Sequence, residues 1–264
     1  MVETERRPSN YRWQSVVPVG LGLALACLAF FSWLAQEVLE WHTQQFDNTV
    51  RATVHQHASP ALTWFMRGVT HLGDWTVVLP AVLVLWGIFS LRGGRDYVRL
   101  LLLTMTGALV LDSALKLVFH RARPDPFFIA KPPSYSFPSG HSLISLCFYG
   151  LLAGMLSLRL KKRWQRVVVW AAAALVVGMI GLSRIYLGAH WPSDVLAGYA
   201  AAIVWMGTVR SLAPRGTGPE SKKAEPPGGP RNRKRIGDIS KLNHCERGLS
   251  ERPRTTGSTG KSES

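Results

Sequence analysis

Six apolar runs, separated by connections rich in polar and charged residues, organise most of the chain. They cover residues 15–34, 76–91, 100–119, 142–158, 167–182 and 195–209. A membrane-spanning helix needs roughly 20 apolar residues, so the second, fifth and sixth runs are short and must gain a turn from flanking residues. Buried helices of a large soluble protein are the alternative, but six runs with few internal charges favour a membrane protein. We predict an all-α, polytopic membrane helix bundle with six transmembrane helices.

Basic residues mark alternate connections between these runs. They precede the first run, lie between the second and third and between the fourth and fifth, and follow the sixth. The first three groups are Arg6, Arg7 and Arg12; Arg92, Arg95 and Arg99; and Arg159, Lys161, Lys162, Arg163 and Arg166. Lys and Arg accumulate in cytoplasmic connections. We therefore predict that both termini are cytoplasmic and that residues 35–75, 120–141 and 183–194 face outward.

Composition changes abruptly after the sixth run. The 264-residue chain is 47% hydrophobic with a formal net charge of +15, but residues 210–264 contain no Phe, Trp or Tyr and carry 13 Lys and Arg against 6 Asp and Glu. Such a segment cannot bury enough apolar surface to fold alone. We divide the chain into a cytoplasmic N-terminus (1–14), a six-span membrane domain (15–209) and a disordered basic cytoplasmic tail (210–264).

The tail raises the question of a nucleic-acid partner, because residues 231–235 are almost entirely basic. No aromatic side chains are interleaved with this run to stack on bases. Anionic lipid headgroups beside the membrane spans suit the same charge. We therefore predict membrane contact rather than nucleic-acid binding, and the sequence predicts no oligomeric state.

Three further features of the sequence concern its cysteines, its first apolar run and its connection 35–75. The three cysteines, Cys27, Cys147 and Cys245, form no disulfide pattern. The first apolar run lacks a small-residue cleavage site, so we interpret it as an anchor rather than a signal peptide. The connection 35–75 contains Trp41, Trp64, Phe65 and Trp75. It is either an amphipathic stretch at the membrane interface or a lid over the substrate.

The first cluster of candidate functional residues follows the third apolar run. Lys116 lies near its end, and Arg123-Pro124 follows, with the proline fixing the exit of the chain. A lysine here often only extends to the interface. Clustered cations repel one another unless an anion lies among them, and Arg and Lys both suit phosphate oxygens. Asp112, one helical turn before Lys116, is either a structural partner or a resting counter-ion.

The second cluster, Pro138-Ser139-Gly140-His141, directly precedes the fourth apolar run. A helix start has unpaired backbone N–H groups and partial positive charge, so it attracts anions. Ser139 suits a helix cap, and Gly140 allows a ligand to approach the backbone. Capping explains the serine fully, but it does not require the imidazole of His141.

The third cluster joins the last two runs: Ser183-Arg184 ends the fifth, and His190 and Asp194 open the sixth. A histidine and a carboxylate four residues apart can meet on one helical face. The carboxylate then holds one imidazole nitrogen and leaves the other as a base or nucleophile. A pair that merely caps the helix is the structural alternative. No third ligand with recognisable spacing accompanies the pair, so we predict no metal and no cofactor.

Together the clusters resemble the type-2 phosphatidic acid phosphatases, also called lipid phosphate phosphatases. That pattern is Lys, six residues, Arg-Pro; then Pro-Ser-Gly-His; then Ser-Arg, five residues, His, three residues, Asp. The chain matches every fixed position, over about residues 60–205: Lys116, Arg123, Pro124, Pro138, Ser139, Gly140, His141, Ser183, Arg184, His190 and Asp194.

The resemblance implies a role for each residue. His190 would attack phosphorus and form a phosphohistidine, with Asp194 orienting it, and His141 would act as general acid and then as general base. The phosphate would be held by cations and donors, namely Lys116, Arg123, Arg184, Ser139 and the Gly140 N–H. No metal is expected, because these cations stabilise the developing charge.

The expected function is therefore hydrolysis of a lipid phosphate or prenyl diphosphate on the outer face of the cytoplasmic membrane. Undecaprenyl diphosphate, phosphatidylglycerol phosphate and phosphatidic acid all remain open as substrates. Aromatic residues near the motifs are either lipid-tail contacts or ordinary interfacial residues: Phe127, Phe128, Tyr135 and Phe137. Two alternatives stay open: an enzyme like the vanadium haloperoxidases, whose pocket is similar, and a lipid phosphotransferase or a scaffold with a relict site.

Overall fold

The computed structural model describes residues 17, 19–130 and 132–212, and within them it contains helices and no strands. Eight helices follow one another: α1 (Leu21–Leu39), α2 (Gln44–Gln56), α3 (Pro60–His71), α4 (Trp75–Leu91), α5 (Arg95–Phe119), α6 (Gly140–Ser157), α7 (Arg163–Tyr186) and α8 (Pro192–Ser211). The all-α prediction is confirmed. The predicted N-terminus 1–14 and most of the predicted tail 210–264, including Cys245, lie outside the described residues.

Among the residues that the structure describes, five segments are long and apolar enough to cross a membrane: α1, α3 and α4 together as Pro60–Leu91, α5, α6 and α7. Many large apolar side chains on these helices are exposed, such as Trp33 at 55%, Val110 at 69% and Leu175 at 67%. Apolar surface of this extent is uncommon on soluble proteins and suits contact with lipid. The membrane helix bundle is confirmed, whereas the six-span count and the cytoplasmic termini stay predictions.

The first helix is displaced from its predicted run, 15–34. It begins at Leu21, after Gly20 in an extended conformation, and it ends at Leu39. The residue before a proline disfavours the helical conformation, and Val17, which precedes Pro18, is not helical. The helix stops shortly before Trp41, whose φ of 63° is left-handed.

The second span begins earlier than predicted, at Pro60 rather than 76. Ser59 caps α3 by accepting a hydrogen bond from the Leu62 N–H at 3.3 Å, and proline suits the first helical position. Met66 of α3 is buried with Tyr186 of α7. Helix α3 therefore packs against the end of α7 that carries Tyr186, and the outward placement of 35–75 stays a prediction.

Helix α8 lies in the interior and packs against α1 and α6. Small buried residues cover much of its length: Ala197, Gly198, Ala200, Ala201 and Ala202. Small residues allow neighbouring helix backbones to approach closely. Helix α8 is not among the five candidate spans of the described residues.

The ends of α5, α6, α7 and α8 at Phe119, Gly140, Tyr186 and Pro192 meet at one end of the bundle, which we term the site end. The connection between α5 and α6 holds them together through backbone hydrogen bonds. Ser139 N donates to Asp194 O at 2.9 Å, and Phe127 N donates to Leu187 O at 3.1 Å. All three predicted clusters lie at this end.

Candidate active site

His190 lies in the turn between α7 and α8, with 2% of its surface exposed. Its Nδ1 is 2.9 Å from the Ser136 carbonyl oxygen, and its Nε2 is 2.9 Å from Nη1 of Arg123. A carbonyl only accepts and a guanidinium only donates, so the proton is on Nδ1 and the lone pair is on Nε2. Burial lowers the pKa of His190 to about 3. The imidazole is therefore neutral at physiological pH, and Nε2 carries its lone pair.

Asp194, in the first turn of α8, is fully buried beside this ring. Its Oδ2 accepts from the Trp191 N–H at 2.9 Å and from the Ser136 hydroxyl, and it lies 3.5 Å from His190 Nδ1. The sequence predicted that the Asp194 carboxylate orients the His190 ring directly. In the structure the Ser136 carbonyl makes the shorter contact, and the Asp194 carboxylate is a nearby counter-charge.

Arg121 and Asp47 are site residues that sequence reasoning missed. Nη1 of Arg121 lies 2.6 Å from Asp194 Oδ1, and its Nη2 lies 2.7 Å from Asp47 Oδ2. Asp47, on α2, also accepts from the N–H and hydroxyl of Ser193 at 2.9 and 2.7 Å. This buried network connects α2 to the turn that carries His190, so part of the segment 35–75 supports the site.

Arg123 is held by carbonyl oxygens and a hydroxyl as well as by His190. Its Nη1 donates to Ala189 O at 2.8 Å, and its Nε and Nη2 donate to Ser134 O and Oγ at 2.7 and 2.9 Å. Burial is the main cause that lowers the pKa of Arg123, and the carboxylates of Asp194 and Asp112 oppose it. The guanidinium thus reaches the proposed nucleophile from a fixed position.

Arg184, in the last turn of α7, has 6% of its surface exposed. Its Nη1 donates to the Thr70 hydroxyl of α3 at 2.7 Å. Its Nε is buried and has no hydrogen-bond partner among the described residues. A buried donor without an acceptor is costly unless a ligand supplies one, and an anion would satisfy it.

Lys116 and Gly140 bring the first two clusters together. Nζ of Lys116 lies 2.7 Å from Asp112 Oδ2, while Asp112 Oδ1 is buried without a partner among the described residues. A Cβ at Gly140 would lie 2.9 Å from both carboxylate oxygens and 3.0 Å from Lys116 Nζ. Glycine alone therefore allows the start of α6 to approach this ion pair.

Ser139 precedes α6 at the N-cap position, but its side chain makes no capping hydrogen bond. Its hydroxyl oxygen instead accepts from the Ser142 hydroxyl at 3.1 Å. The serine is fully buried, so capping does not account for it. The first backbone N–H groups of α6 lie beside it and can bind an anion.

His141, in the first turn of α6, contacts another residue that sequence reasoning missed. Its Nε2 is 2.7 Å from Oδ1 of Asp74, which lies in the break between α3 and α4. Asp74 precedes an apolar run, so its position in the sequence suggests a helix cap and nothing more. Among the described residues, no group of three or more His, Cys, Asp or Glu side chains is arranged to hold a metal ion.

The four aromatic residues near the motifs differ in their surroundings. Phe137 is fully buried, and Phe128 stacks on Tyr186 with ring centroids 5.4 Å apart. Phe127 and Tyr135 keep 39% and 41% of their surfaces exposed. Phe137 therefore belongs to the core, and only the exposed rings are available to a lipid tail.

Several known proteins are similar in sequence to this chain. Residues 97–216 match the family described as PAP2 superfamily. Phosphatidylglycerophosphatase B of Bacillus subtilis is 32% identical over 177 residues, which are 66% of this chain and 87% of that protein. An undecaprenyl-diphosphatase of Sulfolobus acidocaldarius is 33% identical over 106 residues, which are 38% of this chain and 47% of that protein.

The fold is also similar to a solved structure, a transmembrane PAP2-type phosphatidylglycerolphosphate phosphatase from Bacillus subtilis. The two share 29% identity with a TM-score of 0.66, over 71% of this chain and 94% of that one. The sequence and fold similarities therefore agree with the family that the three motifs predict. The chain belongs to the PAP2 superfamily.

Proposed function

We propose that this protein is an integral membrane phosphatase that hydrolyses a lipid phosphate or prenyl diphosphate on the outer face of the cytoplasmic membrane, through a phosphohistidine and without a metal ion. Its relatives are named as phosphatases of this class, and the reaction class is phosphoric ester hydrolysis. The observation that carries the proposal is the state of His190. It is neutral and buried, with its Nε2 lone pair against the guanidinium of Arg123.

In the first step, Nε2 of His190 attacks phosphorus as the bond from phosphorus to the leaving oxygen breaks. The incoming phosphate competes for the Arg123 N–H, and this competition frees the Nε2 lone pair. Protonated His141 donates its proton to the leaving oxygen, which departs as an alcohol or as a lipid monophosphate. The ring of His190 now carries positive charge, and the carboxylate of Asp194 balances it from 3.5 Å.

In the second step, a water molecule attacks the phosphohistidine. His141, now neutral, takes a proton from this water, and the P–N bond breaks to release inorganic phosphate. His190 then regains its neutral form, and His141 is again protonated for the next cycle. Protons and electrons balance within the protein and water, so the sequence of steps needs no further reactant.

Charge stabilisation comes from donors that are already fixed in position. The buried Nε of Arg184 has no partner among the described side chains and would donate to a phosphate oxygen. Arg123, Lys116, Ser139 and the Gly140 N–H would bind the others. Preorganised donors of this kind stabilise the charge that develops in phosphoryl transfer. These cations would stabilise the negative charge on the phosphoryl group, which a metal ion does in other phosphatases.

Two observations support an outward site and a lipid substrate. The basic connections at 92–95 and 159–163 lie at the end of the bundle opposite the site end, and the excess of Lys and Arg indicates that this opposite end is cytoplasmic. The helices around the site end expose apolar surface to the bilayer, which is where a lipid phosphate resides.

Phosphate release from a panel of micellar lipid phosphates, with excess chelator present, tests the proposal. We expect the purified protein to release phosphate equally with and without chelator. His190→Ala should abolish release with the fold intact. His57→Ala, at an exposed histidine directly after α2, should leave it unchanged. Activity that requires a metal would refute the metal-free mechanism, and full activity in His190→Ala would refute the role of His190.

A further inference from the structure

The break between α3 and α4 carries a carboxylate that binds two histidines. Oδ1 of Asp74 lies 2.7 Å from Nε2 of His141, and Oδ2 lies 2.8 Å from Nδ1 of His71. The side chains of Asp74 and His141 are 24% and 22% exposed, whereas His71 is 64% exposed. The three side chains thus form a chain of hydrogen bonds from the protein surface to the proposed general acid.

Helix capping does not account for this aspartate. Asp74 occupies the N-cap position of α4 with φ −75° and ψ 150°, the conformation that capping residues adopt. Its side chain nevertheless makes no capping hydrogen bond to the helix. Each carboxylate oxygen instead accepts a hydrogen bond from a histidine. The position therefore forgoes the usual stabilisation by a cap in favour of the contact with His141.

Gly73 allows the break to lie directly against His141. A Cβ at this position would be 2.8 Å from Cγ2 of Ile180 on α7 and 3.1 Å from Cδ2 of His141. Contacts this short are not available to a residue with a side chain. The backbone beside Asp74 is thus closely packed against both α6 and α7, which fixes the carboxylate relative to the His141 ring.

The charges around His141 make its contact with Asp74 important for proton transfer. Burial of the ring disfavours a positive charge on His141, and the cations Arg184 from α7 and Lys116 from α5 disfavour it as well. Asp74 is the carboxylate that pairs with this ring, and it also interacts with Arg184 and His71. A hydrogen-bonded carboxylate favours the protonated imidazole. A general acid needs that form before the leaving group departs.

We propose that Asp74 is a positioning residue for leaving-group protonation, an inference that rests on the proposed function in which His141 is the general acid. Asp74 binds Nε2 of His141, orients the ring, and balances the charge of the imidazolium. The other ring nitrogen remains for the oxygen of the substrate. His71 holds the second oxygen of Asp74 and so fixes the carboxylate from the solvent side.

The test compares two leaving groups in the Asp74→Asn variant, which keeps the shape of the side chain and removes its charge. The substrates are micellar phosphate esters with the same alkyl tail, one releasing an alkyl alcohol and the other a nitrophenol. Single-turnover phosphorylation is measured for each. A nitrophenolate is stable enough to leave without protonation, whereas an alkyl leaving group must be protonated as it departs. We expect about a 10- to 100-fold loss with the alkyl ester, part of what a general acid contributes, and less than about a threefold loss with the nitrophenyl ester.

A double variant separates positioning from folding. Asp74→Asn in the His141→Ala background should cause no further loss with the alkyl ester, because the residue acts through His141. His57→Ala serves as the surface-histidine control. Equal loss on both esters, or an additive loss in the double variant, would overturn the inference. Absence of phosphate release from the wild-type protein would instead overturn the proposed function, so the two failures are distinct.

Discussion

The buried carboxylate of Asp47 should be a major determinant of stability, although it lies on α2 and outside the three motifs. It is fully buried and accepts three hydrogen bonds, one from Arg121 and two from Ser193. Asp47→Ala removes all three acceptor contacts. The side chain of Arg121, which is 8% exposed, would then keep only Asp194 as a charged partner.

The expected magnitude follows from the loss of one partner of a buried ion pair. Such a loss costs about 3–5 kcal/mol, because a charge and its donors remain buried without compensation. For a domain of this size, each kcal/mol shifts Tm by about 2–4 °C. Asp47→Ala should therefore lower Tm by about 6–20 °C. Phosphatase activity should fall as well, since Arg121 also holds Asp194 beside His190.

Thermal unfolding in detergent measures the change in Tm, and a phosphate-release assay on the same samples measures the change in activity. Asp47→Asn keeps an acceptor oxygen for Ser193 and should lie between wild type and Asp47→Ala. Glu40→Ala removes a half-exposed carboxylate that pairs with His42 at 3.5 Å, and it should shift Tm by less than about 4 °C. A Tm for Asp47→Ala no lower than that of Glu40→Ala would refute this account of the network.

Three further expectations concern the site and its orientation. Gly140→Ala places a methyl group 2.9 Å from the Asp112 carboxylate and should reduce phosphate release at least tenfold (about 1.4 kcal/mol). Gly68→Ala, with nothing within 4 Å of the added methyl group, should leave phosphate release unchanged. Equal activities of the two variants would contradict the close approach of α6 to the Asp112 carboxylate. Burial lowers the pKa of His190 to about 3, so acidification below pH 6.5 protonates only the unfolded state and destabilises the fold, by about 2 kcal/mol at pH 5. The fall in Tm from pH 7 to pH 5 should therefore be smaller in His190→Gln, and an identical fall would count against the neutral ring. In a cysteine-free background, Tyr135→Cys should react with an impermeant maleimide in intact cells and Arg159→Cys should not; the reverse pattern would place the site inside.

The helices and the three clusters could be predicted because their signals are local. Apolar runs of nearly membrane-spanning length give the spans directly, and Gly140-His141 and His190 lie within short motifs at helix ends. The boundaries were less accurate where backbone chemistry decides them. The run at 15–34 gives no sign that the helix begins only at Leu21, and the run at 76–91 gives no sign of the separate helix α3 before it.

The supporting residues could not be predicted, because they act across long sequence separations. Asp74 lies 67 residues from His141, and Asp47 lies 146 residues from Ser193. Each alone resembles an ordinary helix-terminal or surface carboxylate. Only the folded structure shows that Asp74 contacts His141, the proposed general acid, and that Asp47 shares Arg121 with Asp194. Periodicity and motif spacing carry no information about such pairs.

Covalent labelling of His190 tests the central claim most directly. Purified protein would be mixed with a ³²P-labelled lipid phosphate, quenched in alkali, in which a phosphoramidate survives, and digested for mass spectrometry. The mechanism predicts a single phosphorylated peptide, modified on the imidazole of His190, that forms before free phosphate appears and is absent in His190→Ala. Release of phosphate with no label on His190 at any time, or a label on another residue, would contradict the phosphohistidine mechanism.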